Sequence, residues 1–129
     1  MSEVKELNKK RAFEYYNNEA NLGNMQAAFI LSAMYKSGIG VDQNEKVAMD
    51  WLVVASEGDH ATAQYNMGVH YHDKKDYIQS IEWLYRSHKN GHLHALNEMN
   101  DIFKERPEII GEILIQSNEN KSKIKKSNL

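Results

Sequence analysis

Three aromatic residues set a ruler along this chain. Counting from Tyr15, Gly23 lies at +8, Ala27 at +12, Leu31 at +16 and Tyr35 at +20. From Trp51 the corresponding residues are Gly58 at +7, Ala63 at +12, Met67 at +16 and Tyr71 at +20. From Trp83 they are Gly91 at +8, Ala95 at +12, Met99 at +16 and Phe103 at +20. The residue three before each aromatic is small (Ala12, Ala48, Ser80), and the residue after it is Tyr16, Leu52 or Leu84. A period this regular predicts a repeat architecture, in which each unit buries its apolar face only by stacking on its neighbours.

The unit itself is helical. Apolar residues recur at helical spacing in Val47, Met49, Trp51, Leu52, Val54 and Ala55, and again in Ile78, Ile81, Trp83, Leu84 and Tyr85, while strict alternation is nearly absent. Breaks at Gly23, "SGIGV", Gly58, Asp73 to Asp76, Gly91 and before Pro107 delimit helices near 3–21, 24–36, 43–57, 60–73, 76–90, 92–105 and 107–117. Asp42 and Asp76, each followed three residues later by Glu45 or Gln79, predict helix starts. Within a unit an aromatic anchors one helix, a glycine ends it in a left-handed conformation, and a small residue lets the next helix approach. The fold class is all-α: a short solenoid of antiparallel helix hairpins, about two and a half repeats with a capping helix at 107–117. The connection from Tyr35 to Trp51 spans 16 residues and that from Tyr71 to Trp83 only 12, so the glycine-bearing loop "GIG" reads as a turn between helices and not as a phosphate cradle.

Composition narrows the function. At 129 residues the chain fits one domain, 1–117, followed by a basic tail, 118–129, expected to be disordered. That tail carries +3 of a total charge of −2, which leaves an acidic body at −5, opposite to the basic face of a nucleic-acid binder. No apolar run approaches the roughly 20 residues of a membrane span, and the N-terminus lacks the apolar core and cleavage site of a secretory signal. With no cysteine, the chain is expected to be cytoplasmic.

The stretch "AAFILSAMYKSGIGVDQNEKVAMDWLVVASEGDHATAQYNMGVHY" resembles the Sel-one-like repeat family, a branch of the tetratricopeptide-like α-solenoids, through Ala27, Leu31, Tyr35, Gly38, Gly40, Val41, Ala48, Trp51, Ala55 and Gly58. Ser32 stands where the family has glycine, Gly68 restores it in the next copy, and the third copy has Asn100 there and Asn97 at a usual aromatic position. The resemblance covers roughly residues 8–105. It implies a right-handed solenoid and a protein-interaction module without common chemistry. It also implies that the first helices of successive hairpins line a concave groove. The outward row of those helices is then Gln26, Phe29, Ala33 and Lys36; Thr62, Tyr65, Val69 and His72; and His94, Asn97, Asp101 and Lys104. Phe29 and Tyr65 are the sharpest candidates for a partner, with packing between adjacent helices as the competing reading.

Chemistry finds little purchase. The pairs His70/His72 and His92/His94 point about 200° apart on a helix, Gly91 interrupts His88 and His92, and no HExxH or cysteine completes a site with His60, so no metal or cofactor is expected. No GxSxG, P-loop or cysteine nucleophile occurs, and the acid pairs Asp50/Glu57 and Glu105/Glu108 read as solvated faces, so no enzyme activity is expected. Met34, Met49, Met67 and Met99 read as core. Ile109, Ile110, Ile113 and Leu114 form a stripe that caps the open end of the solenoid or seams a weak homodimer. The expected function is an adaptor or regulator that binds another protein. The alternative is an immunity protein, whose acidic body would meet a basic bacterial toxin or effector.

Overall fold

The computed structural model describes residues 2–127 and contains seven helices: α1 (Ser2–Asn21), α2 (Met25–Ser37), α3 (Glu45–Glu57), α4 (Ala61–Asp73), α5 (Tyr77–Lys89), α6 (Ala95–Glu105) and α7 (Glu108–Ser127). It is an all-α solenoid. Helices pack in chain order, with α2 on α3 and α4 on α5 as complete hairpins and α1 and α6 as half-units at either side. The buried alanines at +12 explain the closeness of the stack. Ala27, Ala63 and Ala95 are all at most 2% exposed, each at the contact between one hairpin and the next. Two clusters form the core. One gathers Ala20, Ala28, Leu31 and Ala55 with Phe13, Tyr16, Tyr35 and Trp51; the other gathers Ile81, Leu84, Met99, Ile102 and Ile109.

Each turn between units is closed the same way. The amides of Asn24, His60 and His92 reach back five residues to the carbonyls of Glu19, Ala55 and Ser87, with Gly23, Asp59 and Gly91 preceding them. This geometry demands a left-handed residue, and the three have φ of 95°, 64° and 93°. In the second copy that residue is Asp59, at +8, and not Gly58, whose φ of −84° is ordinary. Gly58 is there for space: a Cβ would strike the Sδ of Met25. The second glycine of "GIG" has a similar reason, because a Cβ on Gly40 would strike the backbone carbonyl of Lys9 on α1. The α2–α3 connection thus lies against the preceding helix α1.

Several sequence expectations shift. Tyr15 is exposed, and the anchoring in the first copy falls to Tyr16 and to Phe13, which meets Tyr35 edge-on at 5.5 Å. Asn44, not Asp42, caps α3 by accepting from the Val47 amide, whereas Asp76 caps α5 through the Gln79 amide as expected. α6 starts at Ala95 and not at 92, because Leu93 and His94 are taken up in a turn. The helix expected to stop at 117 runs unbroken to Ser127: past Gly111 no glycine or proline interrupts it, and Glu119 and Lys123 are spaced one turn apart. The last two residues of the tail, 128 and 129, lie outside the described residues.

Candidate functional site

The first helices of the two complete hairpins, α2 and α4, leave a groove of about 440 Å³ between them. α2 contributes Phe29, Ser32, Ala33 and Lys36 to its walls, and α4 contributes Asn66, Val69, His70 and Asp73. Met49 and Leu52 of α3 close the floor. Phe29, Met49, Leu52 and Val69 are its half-buried apolar lining, while the polar Lys36, Asn66 and Asp73 are exposed. Lys36 and Asp73 both lie at the rim, and neither forms an ion pair with a described residue. An arrangement of this kind receives an apolar side chain and orients it by charges to either side.

Of the twelve residues in the expected outward row, Phe29, Ala33, Lys36 and Val69 come together here. Tyr65 does not. It packs against the second core cluster, its ring stacked on His92 at 4.3 Å and its hydroxyl donating to the Glu98 carboxylate at 3.3 Å. Burial and the neighbouring Glu98 both push the Tyr65 hydroxyl above its ordinary pKa. His72 is half-buried and tilted on Tyr77 at the α4–α5 turn, at a ring separation of 5.7 Å. Asn97, Asp101 and Lys104 are exposed on α6, outside the groove, and Gln26 on α2 and His94 just before α6 are exposed outside it as well. On α4 the groove-facing row is therefore Asn66, Val69, His70 and Asp73, which keeps Val69 from the row counted from the motif and has Asn66 and Asp73 in place of their neighbours Tyr65 and His72. Those four residues share one helical face, but only the angle between α2 and α4 says which face is turned inward. Met49 is likewise half-buried at the groove, while Met34, Met67 and Met99 are buried.

A second cleft of about 560 Å³ lies between the α4–α5 turn and α7, with Tyr77 and Ile109 on its walls and Arg106 set over the Tyr77 ring at 4.9 Å. The Arg106 guanidinium is held by Glu108, which keeps that carboxyl below its usual range and the guanidinium above its own. Among the described residues no three histidine or acidic side chains come together as a metal would require. No helix in the described residues is long and apolar enough to cross a membrane.

The Sel1 repeat family model matches residues 2–24, 26–60 and 61–92, which correspond to α1, to the hairpin α2–α3 and to the hairpin α4–α5. This chain belongs to the Sel1 repeat family. Sel1 repeat proteins act as protein-interaction and adaptor modules, and the matched segments hold every residue of the groove. The chain is 30% identical over 84 residues to chitin synthase regulatory factor 2 of Schizosaccharomyces pombe, covering 61% of this chain and 16% of that protein. It is 32% identical over 62 residues to a putative sel1-like repeat-containing protein of Acanthamoeba polyphaga mimivirus, covering 48% of this chain and 12% of that one. A Sel1 repeat protein from Oxalobacter formigenes superposes with a TM-score of 0.70 at 27% identity, over 74% of this chain and 40% of its own. The chain thus spans under a fifth of the curated relatives it matches.

Proposed function

We propose that this Sel1 repeat protein is a non-catalytic interaction module that docks a segment of a partner protein in the groove between α2 and α4. The observation that carries the reading is the groove itself, with Phe29, Leu52 and Val69 as an apolar seat and Lys36 and Asp73 as free charges at its rim. The partner segment presents an apolar anchor flanked by one acidic and one basic group. A regulatory role, by bringing a partner to another protein or holding it away, is in keeping with the regulatory factor among the relatives. Neutralisation of a basic toxin is supported by the acidic body alone.

The test is binding of a purified partner, first isolated by capture on the full chain, to groove variants that remain folded. Phe29→Ala is expected to weaken binding by tenfold or more, the loss of about 1.4 kcal/mol or more that marks a well-packed anchor. Tyr65→Ala acts only through α6 and is expected to weaken it less. Unchanged affinity in folded Phe29→Ala would remove the groove from the account.

A further inference from the structure

Nine residues after Tyr15, Trp51 and Trp83, just past the left-handed residue of each turn between units, stand Asn24, His60 and His92. In the first copy the Asn24 side chain accepts from the Ala27 amide at 3.1 Å and caps α2. In the second, Nδ1 of His60 does the same for the Ala63 amide of α4, also at 3.1 Å. A ring nitrogen accepts a hydrogen bond only when it carries no proton. Nε2 of His60 must then hold the proton, and it faces the side-chain oxygen of Gln26 on α2. The ring is fixed in its neutral form at both nitrogens. It is also stacked on Phe29, at 4.7 Å and 25°, and Phe29 is a wall of the groove.

An imidazolium does not fit this place. Its Nδ1–H would confront the Ala63 N–H, donor against donor, and its charge would sit at the positive end of α4. Among the described residues no carboxylate bonds or pairs with the ring to offset this. α2 presents Gln26 and Phe29, and α4 presents its first amides. The neighbouring Asp59 accepts from Gln64 and Asn90 and lies 3.7 Å from Arg86 of α5, whose other acidic neighbour is Glu57 of α3. We propose that His60 is a proton-operated latch on the groove: neutral, it caps α4 and holds Phe29 in the wall; protonated, it leaves the cap and releases Phe29. Burial of the ring keeps His60 below the ordinary histidine pKa of about 6.5, so the latch opens on mild acidification. The consequence for a partner rests on the groove reading above; the latch itself does not.

The experiment is a pH titration of the uniformly 15N- and 13C-labelled full chain by NMR, from pH 8 to 5, with no partner present. At high pH the His60 Nδ1 shift is expected in the unprotonated acceptor range, with a midpoint below the ordinary histidine value of about 6.5. The Ala63 amide and the Val69 methyl groups should shift with that midpoint, and the contact between the Phe29 and His60 rings should be lost below it. The Ala27 amide, capped by Asn24, should stay flat. In His60→Asn, which copies the first unit's cap, the Ala63 amide should become flat as well. A His60 midpoint at or above about 6.5, a wild-type Ala63 amide that ignores the titration, or one that still moves in folded His60→Asn would each overturn the latch. A groove that binds nothing leaves all these outcomes readable, and a failed latch leaves the partner assay untouched.

Discussion

In the first complete hairpin the hydroxyl that bridges the two helices comes from the leading helix: Ser32 of α2 donates to the Ala48 carbonyl of α3 at 2.7 Å. In the second it comes from the trailing helix, where Ser80 of α5 donates to the Gly68 carbonyl of α4, also at 2.7 Å. Ser32 and Gly68 hold the same place in the repeat, as do Ala48 and Ser80. The crossing thus asks for two small residues and one hydroxyl, and it accepts the hydroxyl from either side. The hairpins differ in how tightly they fill the space behind it. A Cβ at Gly68 would lie 2.6 Å from Cγ of Leu84, which is 1% exposed, while the equivalent Leu52 is half-buried and forms part of the groove. The second hairpin is the packed end of the comparison and the first is the open one.

That contrast is broken most directly by truncation. Leu84→Ala is expected to cost about 2–5 kcal/mol in denaturant unfolding, as a fully buried leucine does. Leu52→Ala should cost roughly half as much, because part of its side chain already faces solvent. Equal losses would mean that the hairpins are packed alike. Giving the second hairpin the first one's arrangement, by Gly68→Ser with Ser80→Ala, is expected to destabilise by roughly 1–3 kcal/mol, because the new Cβ displaces Leu84. A neutral exchange would show that the hydroxyl, not the volume behind it, decides which helix carries glycine. Removing either hydroxyl alone, in Ser32→Ala or Ser80→Ala, should cost about 0.5–1.5 kcal/mol each, one net hydrogen bond. The smallest effect is electrostatic. Burial depresses the pKa of His60 and, together with His94, of His92, so the folded chain binds fewer protons than the unfolded one. Their contribution to stability is complete above about pH 6.5 and is lost as the pH falls toward the native values. Melting temperature should therefore drop between about pH 6.5 and 5, and by less in His60→Asn.

The ruler of Tyr15, Trp51 and Trp83 made the hairpins and their order legible, because spacing between small and large residues is what close helix packing imposes. Its detail failed where the cause was three-dimensional. The glycine at +7 in the second copy suggested a left-handed turn, yet Asp59 takes that conformation and Gly58 makes room for Met25. Phe29 and Val69 were placed in the groove by counting along the repeat, but Asn66, His70 and Asp73 were not. A helical row is periodic in sequence, while the angle at which α4 leans on α2 is not written there. Tyr65 matched Phe29 in sequence and still turned toward α6, where His92 and Glu98 hold it.

If the groove between α2 and α4 seats the partner, binding must protect the backbone on both of its walls. Hydrogen exchange of the purified complex against the free chain, read by mass spectrometry, tests it without any substitution. Protection confined to the second half of α2 around Ala33 and Lys36 and to α4 from Asn66 to Asp73 is the expected footprint. Protection that skips these segments and falls on the outer helices, around the exposed Val53 and Val54 of α3 and Tyr85 of α5, would contradict it.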